Sequence, residues 1–237
     1  MTLDVLLKAV AMTSTQVENV PPDVRRREVT AVVYDSRRAS TGSVFVAMRG
    51  EHADGTAFAQ QAIRRGAILV IAEAPNAEAE APWIAVPDAR LAIAELSSVF
   101  YGHPSEALRV LGITGTNGKT TTSYLLQSIF EASGIPCGRI GTVSYSVAGQ
   151  ERNAPHTTPE APDLHQMLRE MVDAGSGACA MEVSSHALSL RRVDAMRFAA
   201  AIFTNLTRDH LDYHGNMDAY FEAKRRLFEM LPPGGVG

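Results

Sequence analysis

Apolar and polar positions alternate in blocks along the chain, and the period changes from block to block. The runs "TAVVY", "SVFVAM", "AILVIA" and "WIAV" are short and mostly rich in β-branched residues, the pattern of buried strands. The segments "GTAFAQQAIRRG" and "DARLAIAELSSVFYG" instead space their apolar residues by three and four, which predicts helices. The second helix ends at Gly102, and "HPSEA" reads as a linker. A first domain over residues 1–104 follows.

From Leu108 the order becomes strand, turn, helix. A buried strand from Leu108 to Thr114 runs into a glycine-rich turn, then a helix whose inner face is expected to be Leu125, Leu126, Ile129 and Phe130. Further strands are expected in "GRIGTVSYSV", "GACAMEVS" and "FAAAIFTNL", with a helix through Leu164, Met167, Leu168, Met171 and Val172. This pattern predicts an α/β protein. A small N-terminal domain precedes a doubly wound, mainly parallel-sheet domain over residues 105–237. A last helix covers "MDAYFEAKRRLFEML". Its stripe of Met217, Tyr220, Phe221, Leu227, Phe228 and Leu231 has Lys224 in the middle, while Arg225 and Arg226 turn outward. By alternation a strand should come next, so the chain, ending in "LPPGGVG", reads as a fragment whose second domain is incomplete.

Composition narrows the classes. With 237 residues, 46% hydrophobic and 20% charged, the chain can build one or two cores. A formal net charge of -4 and short basic clusters give no general reason to bind nucleic acid. No run approaches the roughly 18 apolar residues of a membrane span, and the N-terminus lacks the form of a signal peptide. Cys137 and Cys179 read as reduced, packed thiols of a cytosolic protein.

The chemistry is concentrated after the first strand of the second domain. In "GITGTNGKTTT", Gly115 and Gly118 let backbone N–H groups close around phosphate oxygens. Lys119 is placed to reach terminal phosphates, and Thr120 to hold Mg²⁺. The usual phosphate-loop spacing would place glycine at 113, where this chain has Ile113. Two later strands end in polar groups, "ACAMEVSSH" with Glu182, Ser184, Ser185 and His186, and "AIFTNLTRDHLDYHG" with Asn205, Thr207, Asp209 and His210. Ligands of open parallel sheets gather at such strand ends. Glu182 suits Mg²⁺; His210 suits it less, and His186 and His214 are as readily structural. Lys224 has two readings, a snorkelling lysine or a buried amine with a lowered pKa.

The segments "TGTNGKTTT", "HTTPEA", "MEVSSHAL", "NLTRDHLDYHG" and "FEAKRRLF", in that order, resemble the ATP-dependent Mur ligases, and "DSRRASTGSVFVAMRGEHADG" resembles their UDP-binding segment. The resemblance implies ATP-dependent ligation of an amino acid to UDP-N-acetylmuramoyl-L-alanyl-D-glutamate through an acyl phosphate, with meso-2,6-diaminopimelate preferred over L-lysine. It implies that Gly115, Thr116, Asn117, Gly118, Lys119, Thr120 and Thr121 bind ATP. Ser36, Glu51, His52 and Ala53 would contact the UDP end, and Thr157, Thr158, Ser184 and Arg192 the diphosphate and muramoyl peptide. Thr120, Glu182, His210 and Lys224 would serve Mg²⁺, with Lys224 carbamylated by CO₂ and, with Lys119 and His210, catalytic. It further implies a cytoplasmic monomer with small-molecule partners. The family's third domain, which binds the amino acid, is not among these segments, so the isolated chain is expected to be inactive as a ligase. A P-loop kinase, a folate or cyanophycin-type ligase, and a module that binds the UDP-linked peptide without turnover are the rival readings.

Overall fold

A computed structural model describes residues 1–11, 15–50 and 54–237. Glu51, His52 and Ala53 lie outside the described residues. The chain divides into two compact units, Met1–Phe100 and Tyr101–Gly237.

The first unit is built on four strands, β1 (Ala31–Val33), β2 (Ser43–Ala47), β3 (Leu69–Ala72) and β4 (Trp83–Ala85), all parallel and in sequential order. Each coincides with an apolar run. Side chains alternate between faces along a strand, so each strand serves two cores. Val44, Val46, Leu69 and Ile71 pack with Leu3, Leu6 and Leu7 of α1 (Leu3–Ala11) and with Ile93 and Leu96 of α4 (Ala89–Phe100). Phe45, Ala47 and Val70 pack with Ala59 and Ala62 of α3 (Ala59–Arg64). A short helix, α2 (Pro22–Arg25), begins with proline, whose missing N–H is no loss at a helix start.

The second unit has six strands in the order β10-β5-β9-β6-β7-β8: β5 (Arg109–Thr114), β6 (Cys137–Ile140), β7 (Ser144–Val147), β8 (Gln150–Asn153), β9 (Ala178–Glu182) and β10 (Ala200–Phe203). The four strands β10, β5, β9 and β6 are mutually parallel, and β7 and β8 continue the sheet as antiparallel neighbours. The single strand expected over "GRIGTVSYSV" is thus two antiparallel strands joined over residues 141–143, a reversal that the apolar pattern does not reveal. "HPSEA" is not a bare linker either; Pro104–Ala107 forms a helical turn, α5, entered through His103 at φ 50°.

One face of this sheet is covered by α6 (Lys119–Ala132) and the other by α7 (Ala161–Asp173) and α10 (Met217–Glu229). On β9, Ala178 and Ala180 face α6, while Cys179 and Met181 face the core of Leu164, Met171 and Leu227. The expected inner face of α6 is half corrected. Leu126 and Phe130 pack inward, but Leu125 and Ile129 are exposed, at 59% and 61%. The small side chains of Ala178 and Ala180 let the helix sit close on a narrow contact, and one apolar position per turn, Leu126 and then Phe130, suffices to fill it. On α10, Tyr220, Ala223, Lys224 and Leu227 are buried whereas Phe221 is exposed. Beyond α10, Val236 bridges to Ala200 in parallel, outside β10, where the alternation rule calls for a strand.

Both cysteines are buried, and burial holds both thiols above their usual pKa, Cys137 at about 11. They are packing groups. Among the described residues no helix is long and apolar enough to cross a membrane.

Candidate active site

The sheet order places β5 between β9 and β10, so the loops that follow these three strands open at one edge. The loop after β5 is the glycine-rich turn. Gly115 adopts φ 132°, and a Cβ built there would sit 1.9 Å from Thr204 Oγ1, so only glycine fits. Gly118, at φ 84°, turns the chain into α6.

The loop after β10 holds this turn in shape. Thr116 N donates to Asn205 O at 2.9 Å and Asn117 N to Asn205 Oδ1 at 3.1 Å. The Asn117 carbonyl accepts from Thr204 Oγ1 at 2.6 Å and from Asn205 Nδ2 at 3.0 Å. Thr116 Oγ1 accepts from Thr207 N at 3.0 Å and lies 3.2 Å from the Tyr220 hydroxyl. The loop after β10 thus bonds the turn on both its N–H and its C=O sides.

Two amines converge on the turn. Lys119 Nζ donates to the carbonyls of Gly115 and Thr116, both at 2.8 Å, and Lys224 Nζ donates to Gly115 O at 2.9 Å. Lys224 is 1% exposed, so it does not snorkel; its ammonium lies 4.3 Å from the centre of the Tyr220 ring. Burial, reinforced by the charge of Lys119 and opposed by Asp209, pushes Lys224 from 10.5 to about 7. Burial also lowers Lys119, against the pull of Glu182 and Asp209. Arg225 is exposed as expected, but Arg226 is not turned outward. It donates to Leu188 O and pairs with Asp194 at 3.2 Å, binding α10 to α8 (Ser185–Ser189).

Strand parity explains the third group. Glu182 continues the Ala178, Ala180 series and so faces α6, where it meets the first helical turn. It is fully buried, accepts from Thr120 Oγ1 at 3.1 Å, and accepts from Thr142 N and Thr142 Oγ1, each at 3.0 Å. A Cβ on Gly141 would fall 2.2 Å from Glu182 Oε1, so that glycine is what lets the carboxylate in.

Next to it, Thr158 Oγ1 donates to Glu182 O at 2.9 Å and accepts from Ser184 N at 3.1 Å. Arg192 donates to Thr158 O at 2.9 Å and pairs with Glu160 at 2.8 Å. The Ser184 hydroxyl accepts from Ala187 N as the cap of α8. Thr157, Thr158, Ser184 and Arg192 thus form one connected patch beside Glu182.

His210 stands apart from this patch. It is half exposed, at φ 52° ahead of α9 (Leu211–His214), with its ring 4.8 Å from that of His186 and its Nε2 3.5 Å from Asp209 Oδ2. His214 bonds Ser185 Oγ at 2.9 Å, and burial and the neighbouring His186 lower its pKa. Among the described residues no three His, Cys, Asp or Glu side chains form a ready metal cage. Thr120 and Glu182 are in direct contact; Lys224 and His210 are not brought onto them. Thr121 lies in the first turn of α6. In the first unit, Ser36 is buried and donates to Gln61 Oε1 at 2.7 Å. A cavity of about 450 Å³ lies beside it, lined by Tyr34, Asp35, Arg37 and Phe58.

Sequence reasoning passed over Thr142 and Tyr220. Tyr220 was counted as apolar stripe, and only its pairing with Thr116 discloses the hydroxyl's use. Thr142 sits in a segment read as strand, and its one signal was the preceding glycine.

A glycine turn between strand and helix at the carboxyl edge of a parallel sheet, joined by a buried lysine and a buried carboxylate, gives the chain the architecture of an α/β protein with a phosphate-loop-like turn. The particular family follows from comparison. Residues 113–237 match the Mur ligase middle domain and residues 28–101 the catalytic domain of the Mur ligase family. The chain belongs to the Mur ligase family. It is 49% identical over 215 residues to a UDP-N-acetylmuramoyl-L-alanyl-D-glutamate--2,6-diaminopimelate ligase of Geobacter sulfurreducens, covering 89% of this chain and 42% of that protein. It is 50% identical over 210 residues to a protein of the same name from Solibacter usitatus, covering 88% and 42%. A solved structure of a ligase of that name superposes with a TM-score of 0.76 at 31% identity, over 92% of this chain and 45% of the other. The chain spans less than half the length of these relatives.

Proposed function

We propose that this protein serves ATP-dependent ligation of an amino acid to UDP-N-acetylmuramoyl-L-alanyl-D-glutamate in peptidoglycan synthesis, and thereby cell shape and division. The amino acid is meso-2,6-diaminopimelate, in keeping with the names of relatives at 49% and 50% identity. The observation that carries the reading is the meeting of two amines at Gly115 O, Lys224 buried and Lys119 partly buried, beside the Thr120–Glu182 contact at the start of α6.

Met1–Phe100 is the UDP-binding unit, with Ser36 at its cavity, and Tyr101–Gly237 the ATP-binding unit. The backbone N–H groups at the start of α6, together with Lys119, bind the terminal phosphates, the N–H groups of Thr116 and Asn117 being taken by Asn205. The terminal carboxylate of the peptide, held by Thr157, Thr158 and Arg192, attacks the γ-phosphorus; ADP leaves, an acyl phosphate forms, and the incoming amine displaces phosphate. The buried Glu182 carboxylate and the Thr120 hydroxyl are hard oxygen donors, the chemistry Mg²⁺ favours. A bound magnesium ion would supply positive charge against the phosphoryl oxygens. His210, half exposed on the loop after β10 and apart from the Thr120–Glu182 contact, is the less apt donor. Burial lowers the pKa of Lys224 to about 7, so it gives up its proton far more readily than an ordinary lysine, and the neutral amine is the form that adds CO₂. A bond then joins Nζ to the carbon, a proton leaves, and an anionic pair of oxygens replaces the cation. The protein works as a cytoplasmic monomer on small molecules.

Calorimetric titration with Mg²⁺–ATP and with the UDP-muramoyl dipeptide tests the reading. Both are expected to bind. ATP binding together with indifference to the UDP-linked peptide would overturn it in favour of a kinase or a folate-type ligase.

A further inference from the structure

The turn between β6 and β7 is held at both ends. Arg139, 1% exposed, donates to Ser144 O and Ser144 Oγ, each at 3.0 Å, and pairs with Glu151 at 3.1 Å, while its guanidinium lies over the Tyr124 ring at 3.7 Å. At the other end, Gly141 lies against Glu182 where no side chain fits. Between these anchors, Thr142 is exposed, yet its N–H and hydroxyl both donate to the buried Glu182 carboxylate.

The same hydroxyl oxygen lies 3.0 Å from Thr157 Oγ1. A hydroxyl has one proton and two lone pairs, and an ionised carboxylate only accepts. The contact to Glu182 at 3.0 Å therefore takes the Thr142 proton, and Thr157 donates to Thr142 in turn. The result is a directed chain from Thr157 through Thr142 to Glu182. Thr158, the next residue, reaches the same strand end independently, through the Glu182 carbonyl. Anything that draws charge from Glu182 Oε2, or competes for its lone pairs, changes what Thr142 offers Thr157. The segment at 157–158 is thereby linked to the carboxylate by one exposed hydroxyl.

We propose that Thr142 is a positioning residue that couples Glu182 to the Thr157–Thr158 segment, so that a divalent cation at Glu182 and the UDP-linked peptide at that segment change each other's affinity. The inference rests on the function proposed above. Its size is that of one net hydrogen bond, about threefold to tenfold in affinity, and by linkage it is the same in both directions.

The experiment titrates Mn²⁺ into the protein by electron paramagnetic resonance, with and without saturating UDP-muramoyl dipeptide, for the wild type, Thr142→Val and Thr142→Ser. Valine keeps the shape and removes the hydroxyl; serine restores it. The wild type and the serine variant should show the about threefold to tenfold change in Mn²⁺ affinity, and the valine variant none. Thermal melting checks that the valine variant is folded. Equal coupling in wild type and Thr142→Val, or none in the wild type, overturns the inference while leaving the function standing. Failure of the wild type to bind the UDP-linked peptide overturns the function itself, and the coupling with it.

Discussion

Replacing Lys224 by methionine tests the electrostatic description of the site. The amine is held at about 7 in the folded protein against an ordinary 10.5, so the unfolded chain binds a proton that the folded chain resists. Stability must then rise with pH between those two values. The penalty from this one group is about 4 kcal/mol at pH 7 and about 1.5 kcal/mol near pH 9.5. Methionine has a similar length, carries no charge and removes the penalty, so Lys224→Met should be the more stable protein at pH 7, with an advantage shrinking by about 3 kcal/mol toward pH 9.5. The single tryptophan, Trp83, lies in the first unit and does not report on α10. Hydrogen exchange of the β5 and β9 amides does. A difference between the two proteins that stays constant with pH, or a variant less stable at pH 7, would refute the reasoning.

His165 is fully buried on α7, neither ring nitrogen has a hydrogen-bond partner among the described residues, and burial holds its pKa at about 4 against 6.5. Stability is lost as pH falls from 6.5 toward 4, and His165→Leu should remove about 2 kcal/mol of that loss at pH 5, seen as a smaller pH dependence of the urea midpoint. Gly115→Ala forces a Cβ to within 1.9 Å of Thr204 Oγ1 at a backbone angle that side chains avoid, and should abolish Mg²⁺–ATP binding in a calorimeter; retained binding would show that the loop adapts. Asn205→Ala removes the acceptor of Asn117 N and one donor to Asn117 O, and should weaken nucleotide binding about tenfold with little change in melting temperature.

The strands of the first unit were legible because buried parallel strands are short apolar runs with clear ends, and each of the four runs coincides with a strand. The glycine turn was legible for a different reason. Its chemistry demands residue types, two glycines and a Lys-Thr pair, at fixed spacing, and spacing is a property of sequence. Less was legible on α6, where Leu125 and Ile129 carry the period of an inner face and yet are exposed. Periodicity says that a helix has a preferred face but not how wide a contact the partner offers, and the alanines of β9 offer a narrow one. The hairpin of β6 and β7 escaped for the same kind of reason, since a three-residue reversal leaves the apolar pattern unbroken.

The sequence by itself determined the strand and helix alternation, the phosphate-binding turn, the residue types at the strand ends, and a lysine set in an apolar stripe. Local chemistry and periodicity suffice for these. Only the tertiary structure decided that Lys224 meets Gly115 across 109 positions of chain, that Glu182 turns toward Thr120, and that Thr142 lies between Glu182 and Thr157. Those contacts depend on strand order and on the parity of a residue within its strand, and neither is written in the neighbouring residues. The depressed pKa of Lys224 has the same origin, because burial is a property of what packs around a group and not of the group.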